Sequence, residues 1–218
     1  MAFDGITIAA MVKELHLNLD GGRFNKIAQP EADELLITGK GANGQCRLLL
    51  SASASLPLIY FTSKNKPSPM TAPNFCMLLR KHIGSARVSD IRQPGMERVV
   101  MFELEHLNEL GDPCKKVLIM ELMGKHSNII FCDDKGMILD SIKHVSSHMS
   151  SVREVLPGRE YFIPKTQDKL DPLTVSEEEF CDVVCRSHVM FQAVYSSLTG
   201  ISPVVAEENL FQGFDRRE

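Results

Sequence analysis

The chain has 218 residues, of which 44% are hydrophobic and 24% charged, an ordinary composition for one large or two small globular domains. Its formal net charge of −4 argues against a protein that coats nucleic acid indiscriminately. Its apolar runs are too short to span a membrane, the N-terminal segment lacks signal-peptide features, and the six cysteines are irregularly spaced. We therefore expect a cytoplasmic protein with reduced thiols and no membrane contact.

The first sixty residues predict one helix followed by strands. Asp4 is a suitable N-cap, apolar residues follow at helical spacing up to Leu19, and a Gly-Gly pair ends the helix. Alternating patterns then predict strands at Arg23–Ala28, Leu35–Thr38, Cys46–Ser51 and Leu58–Thr62. The glycine-rich segment 39–44 is expected to be a hairpin, since it lacks the Lys-Ser/Thr ending and following helix of a phosphate loop.

A second helix is predicted between Pro73 and Gly84. Its core-facing stripe at helical spacing consists of Phe75, Leu78, Leu79 and Ile83. Arg80 and Lys81 project away from that stripe near the helix C-terminus, where cations are favoured.

After a strand at Arg87–Arg92, residues 93–96 have the chemistry of a type II turn, with Pro at the second position and Gly at the third. The next strand opens with Glu97 and Arg98. Alternation places Arg98 on the side of Val100, Phe102 and Leu104. A guanidinium at the rim of an apolar face needs a partner. A structural pair with a nearby carboxylate is the more frequent solution, and contact with a ligand is the alternative.

Beyond a polar connection at His106–Lys116, further strands are predicted at Val117–Leu122, Ile129–Cys132 and Met137–Leu139. The turn between the first two carries Lys125, His126 and Asn128, which suit phosphate or carbonyl contacts, although an ordinary polar turn explains them equally well. Lys143 and His144, which precede a small polar loop, are further candidates for RNA contact.

The segment Tyr161–Leu173, with Pro164 and Pro172, is predicted to be an extended linker, and the C-terminal segment after it is predicted to be helical. Ser176 and Glu179 form a capping box, and residues 198–203 look like the hairpin of a helix-hairpin-helix unit, with Pro203 in the first turn of its second helix. Cys181, Cys185 and His188 share one helix face, but three ligands without an evident fourth do not make a metal site. We expect no metal and no cofactor.

This order of elements predicts an α+β fold. Residues 1–170 should form a largely antiparallel β-sandwich or barrel-like domain with flanking helices. Residues 171–218 should begin a small helical domain of the helix-hairpin-helix type.

Five stretches follow one another along the chain, namely MAFDGI, GGRFNKIAQP, PNFCMLLRKHI with the following turn and acid-arginine pair, LIMELMGKHSNIIF, and DSIKHVSSHMSSVREVLPGREY. In this order they resemble the N-terminal region of the NFACT family, which is also labelled fibronectin-binding. The resemblance implies a first domain similar in fold to that of formamidopyrimidine-DNA glycosylases. Those enzymes attack through an N-terminal Pro-Glu pair, whereas this chain begins Met-Ala-Phe, so glycosylase chemistry is excluded.

The resemblance also implies a function in ribosome quality control. Family members recruit tRNA, alanyl-tRNA in bacteria, to a stalled large ribosomal subunit for template-free C-terminal tailing of the nascent chain. The ribosome makes the bond, so the protein itself is not expected to be an enzyme. The family's tRNA-contacting acid-arginine pair falls on Glu97 and Arg98, with glutamate in place of aspartate, and Asp4 matches an acid of the opening motif. Arg80 and Lys81 are expected to add positive charge nearby.

Two other functions remain open at this point. The older family label implies a fibronectin-binding surface adhesin, and a purely structural interaction domain is the third alternative. Because whole family proteins continue into a coiled coil and a further RNA-binding domain, we expect this chain to be a fragment that binds tRNA weakly and does not hold the ribosomal subunit alone.

Overall fold

The computed structural model describes residues 3–108, 110–164, 168–185 and 189–215. These residues form nine β-strands, five α-helices and one 3-10 turn. The helices are α1 (Gly5–Leu19), α2 (Asn74–Ile83), α3 (Glu177–Cys185), α4 (Met190–Ser197) and α5 (Pro203–Asp215). The strands are β1 (Arg23–Glu31), β2 (Glu34–Gly41), β3 (Gly44–Ser51), β4 (Leu58–Phe61), β5 (Arg87–Arg92), β6 (Val99–Leu107), β7 (Pro113–Glu121), β8 (Asn128–Asp133) and β9 (Ile138–Ser141).

The nine strands make one antiparallel sheet in the order β4-β3-β2-β1-β5-β6-β7-β8-β9. The joint between β1 and β5 is narrow, with Arg23 opposite Arg87 as its only registered pair among the described residues. The predicted α+β class with a largely antiparallel sheet is confirmed. A closed barrel is not formed, since β4 and β9 are the two edges of the sheet.

Both halves of the sheet bury their inner faces in one core together with α1 and α2. Phe24 from β1 and Phe102 from β6 meet there with ring centroids 6.3 Å apart. The predicted stripe of α2 is confirmed, because Phe75, Leu79 and Ile83 are buried and Leu78 packs against the same core. Because both halves of the sheet contribute to one core, the open sheet resembles a sandwich.

The outer face of β6–β8 is covered by the chain between residues 142 and 163. Val99, Met101, Ile119 and Ile130 form a second buried cluster, against which Tyr161 packs. Val145 and Val155 pair within this covering segment. Because β6 is apolar on both faces, alternation alone does not distinguish its two sides.

The polar connection predicted at 106–116 is wrong. β6 continues to Leu107 and β7 begins at Pro113, and Glu105 of β6 lies opposite Lys115 of β7. Charged residues occur here because one face of this hairpin is exposed, where opposite charges in register stabilise a strand pair. The hairpin predicted at 39–44 is confirmed, with Gly41 opposite Gly44.

The C-terminal helices begin as the sequence indicates. Ser176 Oγ accepts the backbone N–H of Glu179, and Glu179 Oε2 accepts the backbone N–H of Ser176, which is the reciprocal bonding of a capping box. Pro203 is the first residue of α5. The division at residue 170, the helix-hairpin-helix assignment and the likeness to glycosylases stay predictions.

No helix in the described residues is both long and apolar enough to cross a membrane.

Candidate nucleic-acid interface

The turn before β6 differs from the predicted one by one position. The backbone N–H of Glu97 donates to the carbonyl of Pro94 (3.0 Å), so Gly95, not Pro94, is the first central residue. Gly95 has φ of +52° whereas Met96 does not have a positive φ, the combination of a type II′ turn. The Gln93 side chain fixes the turn by donating to the carbonyls of Glu97 and Gly5, both at 2.9 Å.

Three backbone segments meet behind this turn without side chains between them. Gly5 donates its N–H to the carbonyl of Gly200 (2.8 Å). A Cβ at Gly5 would lie 2.3 Å from the Met96 carbonyl oxygen, and a Cβ at Gly200 would lie 2.2 Å from it. The start of α1, the 94–97 turn and the α4–α5 loop can therefore approach this closely only because Gly5 and Gly200 have no side chains.

Asp4 links the first and last of these segments. Its Oδ1 accepts the backbone N–H of Thr7 at 2.8 Å, which confirms the predicted N-cap, and its Oδ2 accepts the hydroxyl of Ser202 at 2.7 Å. Burial by itself raises the pKa of Asp4, but the hydrogen bonds from Ser202 and Thr7 outweigh it and hold the pKa below its usual value. Asp4 is 8% exposed, so its main contacts are within the chain.

These segments line a cleft of about 640 Å³, which we call the junction cleft. Its charged lining residues are four carboxylates and two cations, namely Asp4, Glu97, Asp168, Asp171, Arg98 and Lys169. The structure thus brings Asp4 together with the Glu97–Arg98 pair. Carboxylates in excess over cations disfavour phosphate and favour hydrogen-bond donors as ligands.

Arg98 lies just before β6, which begins at Val99. Its carbonyl accepts the N–H of Leu122 (2.9 Å), which fixes its backbone. Its side chain is half-buried and forms no salt bridge or side-chain hydrogen bond with any residue in the described ranges. Burial raises the pKa of Glu97, Arg98 lowers it and Asp171 raises it, and the pKa lies above its ordinary value. The structural pair considered from the sequence is therefore not present among these residues.

Arg80 and Lys81 are not near Arg98, in contrast to the expectation from the sequence. They line a different cleft of about 980 Å³, which we call the basic cleft and which shares no lining residue with the junction cleft. The basic cleft lies beside Glu105, seven residues along β6 from Arg98, which corresponds to roughly 20–25 Å of strand. Arg80 and Arg98 are close in the sequence but distant in the structure, because Arg80 lines a cleft beside one end of β6 and Arg98 lies at the other end.

The turn between β7 and β8 is at the same end of the sheet as Arg98, since Val99 lies opposite Glu121 and Glu121 opposite Asn128. Lys125 and His126 are exposed there.

Asn128 is buried and Lys143 half-buried, and the two residues hold the adjoining loops together. The Asn128 amide donates to the Lys143 carbonyl (2.8 Å), and Lys143 Nζ donates to the carbonyl of Ala52. Both side chains are thus used in internal hydrogen bonds, and their contact with RNA stays a prediction. His144 is exposed, and its Nε2 lies 2.6 Å from Asp140 Oδ1.

Several lining residues were missed from the sequence. Asp168, Lys169 and Asp171 read as an extended linker, but Leu170 pairs with Leu198 and brings this segment to the cleft. Only the density of charges in that stretch could have drawn attention to it.

No group of three or more His, Cys, Asp or Glu side chains among the described residues is placed to hold a metal ion. Cys181 and Cys185 are exposed, and His188 lies outside the described residues.

The fold and site define an α+β domain with a nine-stranded antiparallel sheet, C-terminal helices and two charged clefts. Residues 4–216 match the family described as NFACT N-terminal and middle domains, and the chain belongs to this family.

Curated relatives are named for ribosome quality control. The Rqc2 homolog RqcH of Bacillus subtilis is 39% identical over 217 residues, which cover 95% of this chain and 37% of that protein. The human ribosome quality control complex subunit NEMF is 27% identical over 69% of this chain and 13% of its own length. The chain therefore spans well under half of these relatives.

Solved structures carry the other family label. The N-terminal domain of the fibronectin-binding protein PavA from Streptococcus pneumoniae has a TM-score of 0.89 at 32% identity, covering 99% of this chain and 81% of that chain. The fibrinogen-binding protein from Staphylococcus aureus has a TM-score of 0.84 at 29% identity, covering 95% of this chain and 74% of that chain.

Proposed function

We propose that the chain binds tRNA through the junction cleft, with Arg98 and Glu97 as the contacting pair. The observation that carries this proposal is a half-buried guanidinium that forms no salt bridge and no side-chain hydrogen bond with a described residue, although its charge acts on the neighbouring Glu97 carboxylate, and that lines a cleft formed by three chain segments. The hydrogen bond from Leu122 fixes the backbone at Arg98, and the guanidinium keeps its planar fork of donors available to a ligand.

The charge of the junction cleft suggests which part of an RNA it takes. Phosphates are disfavoured by the carboxylate excess, whereas base edges carry amino groups that Glu97 can accept from and acceptors that suit Arg98. In RNA such edges are accessible mainly in loops and single-stranded segments. The acid-arginine pair would therefore select a nucleotide, because base contacts specify whereas phosphate contacts position. Exposed Lys125 and His126, at the same end of the sheet, are proposed as additional contacts.

For the whole protein, we propose recruitment of tRNA, alanyl-tRNA in particular, to a stalled large ribosomal subunit in the cytoplasm for template-free C-terminal tailing. The relatives named for ribosome quality control support this proposal. The ribosome would form the peptide bond, and this chain would act by positioning and not as an enzyme. Since the chain spans about 37% of the Bacillus subtilis relative, subunit binding would depend on further parts.

The test is the affinity of this chain for a fluorescently labelled alanine tRNA transcript. Arg98→Ala should weaken binding roughly 5- to 150-fold, the range of one good bidentate base contact. Arg98→Lys should restore little, because an ammonium cannot replace a planar fork. Arg159→Ala is the matched control, since Arg159 is exposed, forms a salt bridge with Glu154 alone among the described residues, and does not appear in the lining of either cleft.

Two outcomes would contradict this role for Arg98. One is an Arg98→Ala variant that binds tRNA like wild type. The other is loss of binding with a lowered melting temperature, which indicates that Arg98 is structural.

Fibronectin binding is a second candidate, favoured by the structural neighbours described as fibronectin- and fibrinogen-binding proteins. Binding of this chain to immobilised fibronectin, with affinity unaffected by Arg98→Ala, would support it. Absence of binding at micromolar concentration would argue against it.

A further inference from the structure

The described residues that line the basic cleft include six cations and one carboxylate, contributed by β1, α2, β5 and the β6–β7 hairpin. The cations are Arg23, Lys26, Arg80, Lys81, Arg87 and Lys115, and the carboxylate is Glu105. On a chain with a net charge of −4, such a concentration of positive charge is local. Clefts lined by one sign of charge focus the field and attract ligands of the opposite sign.

Three features of the described residues indicate that this charge is only partly balanced within the fold. Arg23 and Arg87 lie directly opposite each other across the β1–β5 joint, and like charges in that position destabilise a strand pair. Glu105 is shared, with its oxygens 3.4 Å from Arg87 Nη1 and 3.7 Å from Lys115 Nζ. Lys26 forms no salt bridge with a described residue. Glu105 is the one carboxylate among the described lining residues, and a bound anion would relieve the repulsion between Arg23 and Arg87 that it leaves.

Two guanidinium groups are already held in place. Arg80 Nε donates to the Ile27 carbonyl (2.7 Å) and Arg23 Nη1 donates to the Ser85 carbonyl (3.1 Å). Each bond uses one of five donors, so most of the fork stays available to a ligand. The dipole of α2 accounts for cations at its C-terminus, but it does not account for Arg23 or for Lys26, which belong to β1.

We infer that the basic cleft is a second RNA site, which binds the phosphodiester backbone independently of nucleotide sequence. Its spacing of roughly 20–25 Å from Arg98 along β6 lets one folded RNA contact both clefts at different segments. The basic cleft then supplies affinity and orientation, and the junction cleft supplies selection. This inference rests on the proposal that the chain binds RNA.

The test uses the 218-residue chain with two labelled probes, an alanine tRNA transcript and oligouridylate, across a KCl series. The double variant Lys26→Gln/Lys115→Gln removes two exposed cations of the cleft. Lys64→Gln/Lys135→Gln is the control, because it removes the same charge from exposed positions that line neither cleft. Lys26→Glu serves as an independent second variant.

The cleft double variant should bind both probes roughly 10- to 30-fold more weakly at about 0.1 M KCl and lower the slope of log affinity against log salt by about 1.5. The control should match wild type, and Lys26→Glu should follow the cleft variant. Equal binding by the cleft and control variants would overturn the inference. It would also be overturned if neither probe binds wild type at about 50 mM KCl, where phosphate contacts are strongest.

The same experiment separates this inference from the proposed role of Arg98. Arg98→Ala should weaken tRNA binding with an unchanged salt slope and should leave oligouridylate binding largely unaffected. If Arg98→Ala has no effect while the Lys26/Lys115 variant does, the basic cleft stands and the junction-cleft proposal fails.

Discussion

Gly200→Ala perturbs the geometry of the junction cleft without changing any charge in it. Gly200 has φ of +73°, and a Cβ there would lie 2.2 Å from the Met96 carbonyl oxygen and 2.7 Å from the Met96 Cβ. The left-handed conformation costs a non-glycine residue about 1–2 kcal/mol. Overpacking against Met96 adds about 1–3 kcal/mol, because the loop must withdraw by about 1 Å to reach ordinary contact.

Gly158→Ala is a matched control for this prediction. Gly158 has φ of +79°, yet nothing lies within 4 Å of its Cβ position. It should therefore carry the conformational cost of about 1–2 kcal/mol alone. Gly200→Ala should be less stable than Gly158→Ala by about 1–3 kcal/mol in free energy of unfolding, the overpacking contribution.

Urea unfolding followed by circular dichroism measures this difference, and binding of labelled tRNA measures its effect on the cleft. Withdrawal of the loop weakens the bonds from Gly5 to Gly200 and from Ser202 to Asp4, so tRNA affinity should fall in Gly200→Ala and not in Gly158→Ala. Equal unfolding free energies and equal tRNA affinities in the two variants would refute the close packing behind the turn and its link to binding.

Three further outcomes are expected. Leu79→Ala should lower the free energy of unfolding by about 2–5 kcal/mol in urea, because Leu79 is fully buried beneath α2, and a loss below about 1 kcal/mol would contradict this placement. Arg153→Ala should cost about 3–5 kcal/mol, because it leaves the buried Glu121 carboxylate, 2.5 Å from Arg153 Nη2, without its cation, and unchanged unfolding would contradict the pair. Because the folded-state pKa of Asp4 is lowered, its stabilisation is present above the unfolded value of 3.8 and is lost as pH falls through the folded pKa. Wild type should thus lose more unfolding free energy below pH 3.8 than Asp4→Asn, which keeps a capping oxygen, and parallel pH curves would contradict it.

Local signals predicted the local structure well. The helical stripe of α2 and the capping box at Ser176 and Glu179 depend on residues within a few positions, so the sequence contains all of their geometry. The turn before β6 was placed one position early, because Pro94 fits a type II turn by propensity whereas Gln93 pins the chain through the distant Gly5 carbonyl.

The composition of the clefts depends on long-range packing and was only partly predictable. The resemblance supplied Asp4, Glu97 and Arg98, which the structure places in one cleft. It did not indicate that Asp171 would approach from a segment read as a linker. Nor could it separate Arg80 from Arg98, because their distance is set by the length and direction of β6.

The proposed function in ribosome quality control depends on tRNA held at Arg98. Its most direct test is recovery and sequencing of RNA bound in cells to the protein that contains this chain, compared for wild type, Arg98→Ala and Arg159→Ala. We predict that tRNA is enriched with wild type and Arg159→Ala and is lost with Arg98→Ala, while all three remain folded. Equal tRNA recovery with Arg98→Ala would show that Arg98 is not the tRNA contact, and no tRNA enrichment with wild type would show that the protein does not bind tRNA.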